Sequence, residues 1–217
     1  MFTGIIHEIG RVVEASPLGG GVRLVIQAPE TSSSLRVSDS VSVNGVCQTV
    51  VEKTEERFTV VAVEETLKKT TLGRIKPQGR VNLELPLQLS DRLGGHMVLG
   101  HVDCVGIVAS IQERETSRVF EIGIPEGFRQ YVIPVGSIAV DGVSLTVASV
   151  GEKSLTVSII PYTLERTIFS FYSSGSEVNL EFDMIGKYVE RLLGMKGEIG
   201  GAEEISKDRL RDWGYDV

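Results

Sequence analysis

Apolar and polar residues alternate along most of this chain, in short runs that end at glycine- or asparagine-containing turns. Residues 39–63 alternate around turns at Asn44-Gly45 and near Glu55-Glu56, and residues 10–29 predict a hairpin closed by Gly19–Gly21. Alternation with a period of two is typical of strands that bury one face. Short strands with regularly spaced turns predict a small all-β barrel or sandwich. Closure into a barrel would also remove exposed strand edges.

The pattern of strands and turns occurs twice in the chain. Three pairs of segments share one offset of 97 positions: SVSVNGVCQTV (40–50) with SIAVDGVSLTV (137–147), FTVVAVEETLKKTTLG (58–73) with LTVSIIPYTLERTIFS (155–170), and RVNLEL (80–85) with EVNLEF (177–182). The opening MFTGIIHEIGRVV also aligns with residues 97–109. Solenoid and propeller repeats are shorter, about 20–50 residues. We therefore predict two homologous domains, residues 1–96 and 97–184, whose two similar pockets would suit a reaction between two similar small molecules.

Helical patterns are short and lie between or after the strands. EETLKKTTL and YTLERTIF each predict a turn or two of helix. Residues 185–195, IGKYVERLLGM, place Ile185, Val189, Leu192 and Leu193 near one face, as in an amphipathic helix that packs on a partner subunit. The polar, glycine-broken tail at residues 196–217 is expected to be loosely docked or disordered, with a partly helical segment at Glu203–Trp213.

Composition narrows the class of protein. The net charge is −7, without a block of Lys or Arg, which argues against nucleic acid and anionic membranes as partners. No apolar run approaches the roughly 20 residues of a membrane span, and the N-terminus does not resemble a secretion signal. The two cysteines, Cys47 and Cys104, are too few for a disulfide framework and indicate reduced thiols in a cytoplasmic protein.

The two repeats differ most in one short polar segment. Asn44 stands opposite Asp141, Cys47 opposite Ser144, and Gln48 opposite Leu145, whereas Thr49 and Thr146 match. Two pockets of similar backbone would then carry different reactive groups. The alternative interpretation is drift after duplication, with Cys47 as a small buried apolar residue.

Two of the three histidines lie in GGHMVLGHVD, the linker between the repeats (residues 94–103). His96 and His101, near Asp103 and Cys104, are residue types that bind zinc. The segment contains no HExxH or CxxC spacing, so inter-domain packing is the favoured interpretation and no metal is predicted. A histidine here could also transfer protons.

The motifs taken together resemble the riboflavin synthases of the alpha-chain type. The resemblance spans Met1 to about Leu193 and rests on these segments: MFTGII, SVSVNGVCQTV, EETLKKTTLG, GGHMVLGHVD, GSIAVDGVSLTV, YTLERT, VNLEFD and IGKYVERLL. It implies two six-stranded antiparallel Greek-key β-barrels in tandem, and a C-terminal helix that drives formation of a homotrimer. The implied reaction is the dismutation of two 6,7-dimethyl-8-ribityllumazine molecules by four-carbon transfer. The products are riboflavin and 5-amino-6-(D-ribitylamino)uracil, in the last step of riboflavin biosynthesis, without a metal or organic cofactor.

The resemblance also implies a site between the N-terminal barrel of one subunit and the C-terminal barrel of a neighbour. It leaves association with lumazine synthase open. The expected lining of the N-terminal pocket is Gly4, Ile5, Ile6, Cys47, Gln48, Thr49, Val61, Ala62, Val63, Glu64, Glu65 and Thr66. The expected lining of the second pocket is Gly100, His101, Val102, Ser144, Leu145, Thr146, Ser158, Ile159, Ile160, Pro161, Tyr162 and Thr163.

The positions linked to activity in the family correspond here to Phe2, Ser40, Cys47, His101, Asp141, Ser144 and Asp183. His101 and Ser144 are expected to handle protons or water near the C7 atom of one substrate, while Cys47 and Thr49 contact the other. Asp141 could instead stabilise its Asp-Gly turn. Val135 stands where the family usually carries a ligand-contacting lysine, so a cationic contact is either absent or supplied elsewhere.

Two other classes of protein are compatible with such a fold. One is a non-catalytic lumazine- or flavin-binding protein, such as a bioluminescence antenna, against which the retained set of Cys47, His96, His101 and Ser144 argues. The other is a double-barrel interaction module, the prediction that holds without the resemblance. Such a module would not bind lumazine.

Overall fold

The protein forms two closed antiparallel barrels followed by a helix. A computed structural model describes residues 1–194 together with residues 211 and 214. In these residues the first barrel has the strand order β1-β2-β5-β4-β3-β6 and consists of β1 Glu8–Leu18, β2 Gly21–Gln27, β3 Ser40–Val43, β4 Val46–Lys53, β5 Arg57–Ala62 and β6 Arg80–Glu84. The second has the order β10-β11-β8-β7-β12-β9 and consists of β7 Cys104–Glu113, β8 Arg118–Gly123, β9 Ser137–Val140, β10 Val143–Val150, β11 Ser154–Ile159 and β12 Glu177–Phe182. The predicted two-barrel fold is confirmed.

Each barrel closes around a separate apolar core. In β5 and β11 alternate residues point inward, so that Phe58, Val60, Leu155 and Val157 are fully buried. Burial of apolar surface contributes roughly 25 cal/mol per Å² and drives this closure. The register shifts at equivalent places in the two barrels, between Val50 and Glu52 in β4 and at the matching place in β10. Such bulges bend the strands as a closed barrel requires.

Short helices connect the strands, and two of them border the pockets described below. The helices are α1 Pro29–Ser34, α2 Glu64–Lys69, α3 Pro161–Arg166 and α4 Met184–Gly194, with 3-10 helices at Leu72–Arg74, Arg129–Tyr131 and Ile168–Phe171. Proline at the first position of α3 has a φ angle already suited to a helix. In α2 the acidic residues of the first turn and the basic residues of the last turn interact favourably with the helix dipole and stabilise the helix. The two predicted inter-strand helices are confirmed.

Buried amide groups join the two barrels. The Asn82 side chain donates from Nδ2 to the carbonyl of Asp141 (2.9 Å), and the equivalent Asn179 donates to the carbonyl of Asn44 (2.9 Å). The turns themselves also touch, because a Cβ on Gly45 would lie 2.6 Å from the backbone nitrogen of Gly142. Both turn pairs have positive φ angles, as expected of the Asn-Gly and Asp-Gly hairpins that the sequence predicted.

Helix α4 belongs to a second compact unit that begins at Met184. The predicted amphipathic helix is present, beginning at Met184 and described as far as Gly194, and its apolar side chains Ile185, Val189, Leu192 and Leu193 are exposed. Most of the predicted polar tail, with nearly all of its partly helical segment, lies outside the described residues. Among the described helices, none has the length and apolarity needed to cross a membrane.

Candidate functional site

Two extended segments lie between the barrels, and we call them the first arm (residues 2–6) and the second arm (residues 98–102). They pair in antiparallel fashion, with Phe2 N–H donating to the Val98 carbonyl at 2.7 Å and Val98 N–H donating to the Phe2 carbonyl at 3.1 Å. Phe2, Val98 and Ala139 form a small buried cluster against which Cys47 packs. The two arms are therefore paired with each other and packed against residues of both barrels.

Each arm lies on the barrel of the other repeat. The Gly4 carbonyl accepts from Ser144 N–H at 2.8 Å, and the Gly100 carbonyl accepts from Cys47 N–H at 2.8 Å. Both glycines have positive φ angles of about 80°, and a Cβ would lie 2.5 Å from Ser144 Cβ or 2.6 Å from Cys47 Cβ. Only glycine fits this close backbone approach.

The positions of the arms differ from the predicted ones. We expected Gly4–Ile6 beside Cys47 and Gly100–Val102 beside Ser144, but the hydrogen bonds join Gly4 to Ser144 and Gly100 to Cys47. The expectation was wrong because aligned repeats reveal which segments are equivalent, but not that segments ahead of the first strand cross to the other barrel.

A cavity lies against Ser144 in the C-terminal barrel. It is lined by the first arm, β10, α3 and the residue after α3, namely Gly4, Ile5, Ile6, Val143, Ser144, Tyr162, Thr163, Arg166 and Thr167. Arg166 also lies over the Tyr162 ring. Sequence analysis missed Arg166, which brings a cation to this cavity. Val135, the position of the usual lysine, is 79% exposed, has a φ angle of 62° and is not part of the lining.

Ser144 is hydrogen-bonded to His96, a histidine to which the sequence analysis assigned no proton-transfer role beside Ser144. His96 Nδ1 lies 2.7 Å from Ser144 Oγ, whereas His101 belongs to the second arm, on the Cys47 side. Burial lowers the pKa of His96, and the nearby Asp183 carboxylate opposes this shift. A neutral imidazole next to a hydroxyl is able to accept or relay a proton. The assignment of His101 and Ser144 to the C7 atom of one substrate stays a prediction.

The equivalent place in the N-terminal barrel carries the thiol. Cys47 is half-buried, and the buried Gln48 side chain donates to the Cys47 carbonyl at 2.8 Å. His101 is exposed, and its backbone N–H donates to Glu181 at 2.9 Å. A concave surface of the same barrel is formed by Leu18, Gly20, Gly21, Val61, Val63, Glu64, Glu65 and Lys68, which includes four of the expected lining residues but not Cys47.

Asp141 lies in the interior of the fold. Its carboxylate accepts from the Asn179 N–H at 3.0 Å and from the Tyr172 hydroxyl, and it is 1% exposed. Burial raises the pKa of Asp141 to about 7, which the hydrogen bonds from Tyr172 and Asn179 oppose. Burial and the Asp141 carboxylate raise the pKa of Tyr172 well above its usual range. This environment supports the alternative interpretation of Asp141, stabilisation of its turn.

The other expected residues occupy varied positions. Ser40 and Thr49 pair across β3 and β4, and Asp183 directly follows β12. Thr146, Ser158, Ile160 and Pro161 are exposed, Leu145, Val102 and Thr66 are half-buried, and Ala62 and Ile159 are buried.

Sequence analysis also missed the buried carboxylates that hold the arms. Glu84 accepts from Thr3 and Gly4, and Glu181 accepts from Leu99, Gly100 and His101. Burial raises the pKa of Glu84, and the hydrogen bonds from Thr3 and Gly4 act in the opposite direction. The available signal was the segment Asn-Leu-Glu, which recurs unchanged in both repeats at strands of otherwise apolar character.

The histidines do not assemble a metal centre in the described residues. His96 is bonded to Ser144, His101 belongs to the second arm, and residues 1–194 hold no group of three or more His, Cys, Asp or Glu side chains placed to bind one ion.

Comparisons with known proteins agree with this architecture. Residues 3–86 and 99–183 each match the lumazine binding domain family. The riboflavin synthases of Actinobacillus pleuropneumoniae and Bacillus subtilis are each 38% identical over 215 residues, or 99% of this chain and 100% of the relative. The riboflavin synthase of Mycobacterium tuberculosis is 42% identical over 201 residues, or 91% of this chain and all of the relative. Among solved structures, LumP complexed with riboflavin matches with a TM-score of 0.78 at 24% identity, over 84% of this chain and 99% of LumP, which shows the shared fold.

Proposed function

The chain belongs to the riboflavin synthase family, and we propose that it catalyses the dismutation of two 6,7-dimethyl-8-ribityllumazine molecules. One molecule donates a four-carbon unit to the other, and the products are riboflavin and 5-amino-6-(D-ribitylamino)uracil. The observation that carries this proposal is the pair of crossed arms. They place equivalent backbone around Cys47 and Ser144, so that one chain offers two similar sites with different reactive groups.

Two similar sites suit a reaction in which donor and acceptor are the same compound. Holding two reactants in a reactive orientation contributes up to roughly 7–11 kcal/mol in favourable cases. The Ser144 site has the means to move a proton, because His96 Nδ1 is 2.7 Å from Ser144 Oγ. We assign this pair to proton transfer or activation of water at C7 of one substrate.

The Cys47 site would hold the other substrate. The thiol lies beside Gly100, and the Gln48 side chain fixes the Cys47 carbonyl. We assign Cys47, Thr49 and His101 to contacts with this second molecule. In the Ser144 site we assign to Arg166 the cationic contact that Val135 cannot make, since the guanidinium lies on the cavity wall.

The remaining features of the assembly belong to the same proposal. The two barrels are domains with limits at residues 1–96 and 97–184, and each binding site combines one barrel with the arm of the other repeat. The exposed apolar face of α4 mediates a homotrimer, in which the N-terminal site of one subunit meets the C-terminal site of a neighbour. The protein acts in the cytoplasm, and a complex with lumazine synthase would supply its substrate directly.

The second candidate function is binding of lumazine or flavin without turnover. LumP shares the fold, and its solved structures are complexes with 6,7-dimethyl-8-ribityllumazine, riboflavin and flavin mononucleotide. The bonded His96–Ser144 pair favours the enzyme, because simple ligand binding does not require a proton relay.

Incubation of the full chain with 6,7-dimethyl-8-ribityllumazine tests the reaction directly. We expect riboflavin and the diaminouracil product in equal amounts by chromatography, since one molecule gains what the other loses. Tight binding without these products would favour the antenna function, and absence of binding would contradict both.

The proton-handling pair is tested by His96→Gln, for which His7→Gln is the matched control because His7 is exposed. General acid–base catalysis typically contributes about 10²–10⁴-fold. We therefore expect His96→Gln to lower kcat by about 10²-fold or more while His7→Gln changes it little. Equal kcat values in the two variants would remove His96 from the mechanism.

A further inference from the structure

The last strand of each barrel carries a buried Asn-Leu-Glu segment whose polar side chains act outside the barrel core. Leu83 and Leu180 are fully buried in the two cores, while the flanking Glu84 and Glu181 are 5% and 3% exposed. A buried carboxylate is costly unless hydrogen bonds compensate for lost water. The partners of these two carboxylates therefore indicate what they are for.

Those partners are the backbone N–H groups of the arms. Glu84 accepts from Thr3 N–H at 2.7 Å through Oε1 and from Gly4 N–H at 3.0 Å through Oε2. Glu181 accepts from Leu99 N–H at 2.7 Å through Oε1, and from Gly100 and His101 N–H groups at 2.9 Å each through Oε2. Hydrogen bonds to a charged acceptor are about twice as strong as neutral ones, so each carboxylate anchors one arm.

The anchored arm then contacts the opposite barrel. Gly4, held by Glu84 of the first barrel, accepts from Ser144 of the second, and Gly100, held by Glu181, accepts from Cys47 of the first. The asparagine of each segment likewise contacts the backbone of the other repeat. Asn82 Oδ1 accepts from Ile168 N–H, next to the cavity residue Thr167, at 2.8 Å, and Asn179 Oδ1 accepts from Thr71 N–H at 2.8 Å.

We infer that Glu84 and Glu181 are positioning residues that act crosswise: Glu84 of the first barrel builds the Ser144 site, and Glu181 of the second builds the Cys47 site. The inference rests on the proposed function only in taking these two places as substrate sites. The arrangement couples the sites, since neither barrel holds all the groups that shape its own site.

Strand register makes the crosswise inference testable. Within its own barrel Glu84 stands opposite Ser42, which stands opposite Cys47, and Glu181 is related to Ser144 through Ala139 in the same way. A purely local effect of removing a carboxylate would therefore reach the reactive residue of its own barrel. A positioning role acts through the arm and reaches the other barrel instead.

The experiment measures alkylation of thiols by iodoacetamide in the full chain, resolved by peptide mass spectrometry. Cys47 reports on the N-terminal site, and a thiol introduced by Ser144→Cys, combined with Cys47→Ser, reports on the C-terminal site. Each reporter is measured with Glu84→Gln and with Glu181→Gln. Cys104 is 8% exposed and serves as the internal control for general loosening of the fold.

We expect each substitution to accelerate alkylation in the opposite barrel. Glu181→Gln should raise the rate at Cys47 roughly tenfold, as loss of a charge-assisted hydrogen bond would, and Glu84→Gln should change it by less than about twofold. At the position 144 thiol the two substitutions should exchange their effects. The inference is overturned if each thiol follows the glutamate of its own barrel, if both glutamates act equally, or if Cys104 accelerates in parallel.

Two features keep the outcome interpretable. If a glutamine variant does not fold, Glu84→Asp and Glu181→Asp take its place, because they retain the charge but have a shorter side chain. The alkylation rates of the same two thiols are then measured, with the same expectation for each barrel. Alkylation does not depend on turnover, so an active enzyme can fail this test and an inactive chain can pass it. Failure of the inference is therefore distinguishable from failure of the proposed function.

Discussion

At the scale of single residues, two differences between the repeats are coupled. Asn44 in the first repeat faces Asp141 in the second, and the residue equivalent to Tyr172 is Ile75. Asn44 Oδ1 accepts from Asn82 N–H at 2.7 Å, as Asp141 Oδ1 does from Asn179. The second oxygen of Asp141 accepts from Tyr172, a bond for which Ile75 has no counterpart. The carboxylate and the phenol are thus explained as a pair.

This pair gives the protein a predictable pH dependence. Burial raises the pKa of Asp141 to about 7 from its ordinary value of 3.8. Between these two pH values the carboxyl group is protonated in the folded state and ionised in the unfolded state. The free energy of unfolding should fall as pH rises from about 4 to about 7, by on the order of a few kcal/mol, and then level off. Asp141→Asn should reduce this slope to the part that other buried carboxyl groups such as Glu84 contribute. The substitution is tolerable because Asn44 shows that an amide fits the same turn.

Denaturant unfolding between pH 4 and 8 measures the slope. Asp91→Asn is the control, since Asp91 is exposed. An unchanged slope in Asp141→Asn would show that other groups cause the pH dependence.

At the scale of elements, the strands and turns could be predicted but the arms could not. Alternating residues and the Asn44-Gly45 turn define β3 and β4 because they depend on local sequence. The arms are short extended segments whose positions depend on contacts far along the chain, such as Gly4 with Ser144. The same limitation hid the bond between His96 and Ser144, because residues 96 and 144 come together only in the folded chain.

The glycines of the arms permit a test of the close approach. Gly4→Ala places a Cβ 2.5 Å from Ser144 Cβ, at a φ angle of 79°. Gly19→Ala is the matched control, because Gly19 has a φ of 59° with nothing within 4 Å of its Cβ. The left-handed conformation costs roughly 1–2 kcal/mol in both variants. We expect only Gly4→Ala to lose substrate affinity as well, measured by fluorescence titration with lumazine; equal affinities would contradict the close contact.

At the scale of the whole molecule, two sites on one chain raise the question of where two substrates meet. Each barrel carries one proposed site, and the arm of the other repeat is hydrogen-bonded to the reactive residue of that site. Several apolar side chains of α4 are exposed in the single chain, among them Leu192 at 64% and Leu193 at 59%. Full burial of one such side chain contributes about 1.5–3 kcal/mol. A helix contact repeated between the subunits of a trimer would therefore contribute a large part of the free energy of assembly.

Truncation separates assembly from the sites. A chain ending at residue 184 lacks the apolar helix, and we expect it to be monomeric by light scattering. A chain ending at residue 194 retains the helix as described, and we expect it to form the proposed trimer. A trimer in the shorter chain would show that other surfaces hold the subunits together.

Turnover in the monomer then decides how the two substrates come together. Residues 1–183 form one compact unit that contains both arms and both sites, so the truncated chain should still bind lumazine. If dismutation needs the N-terminal site of one subunit to face the C-terminal site of a neighbour, kcat should fall at least about 10²-fold, as expected when proximity is lost. Binding with full turnover would instead mean that the two sites of a single chain suffice for the reaction.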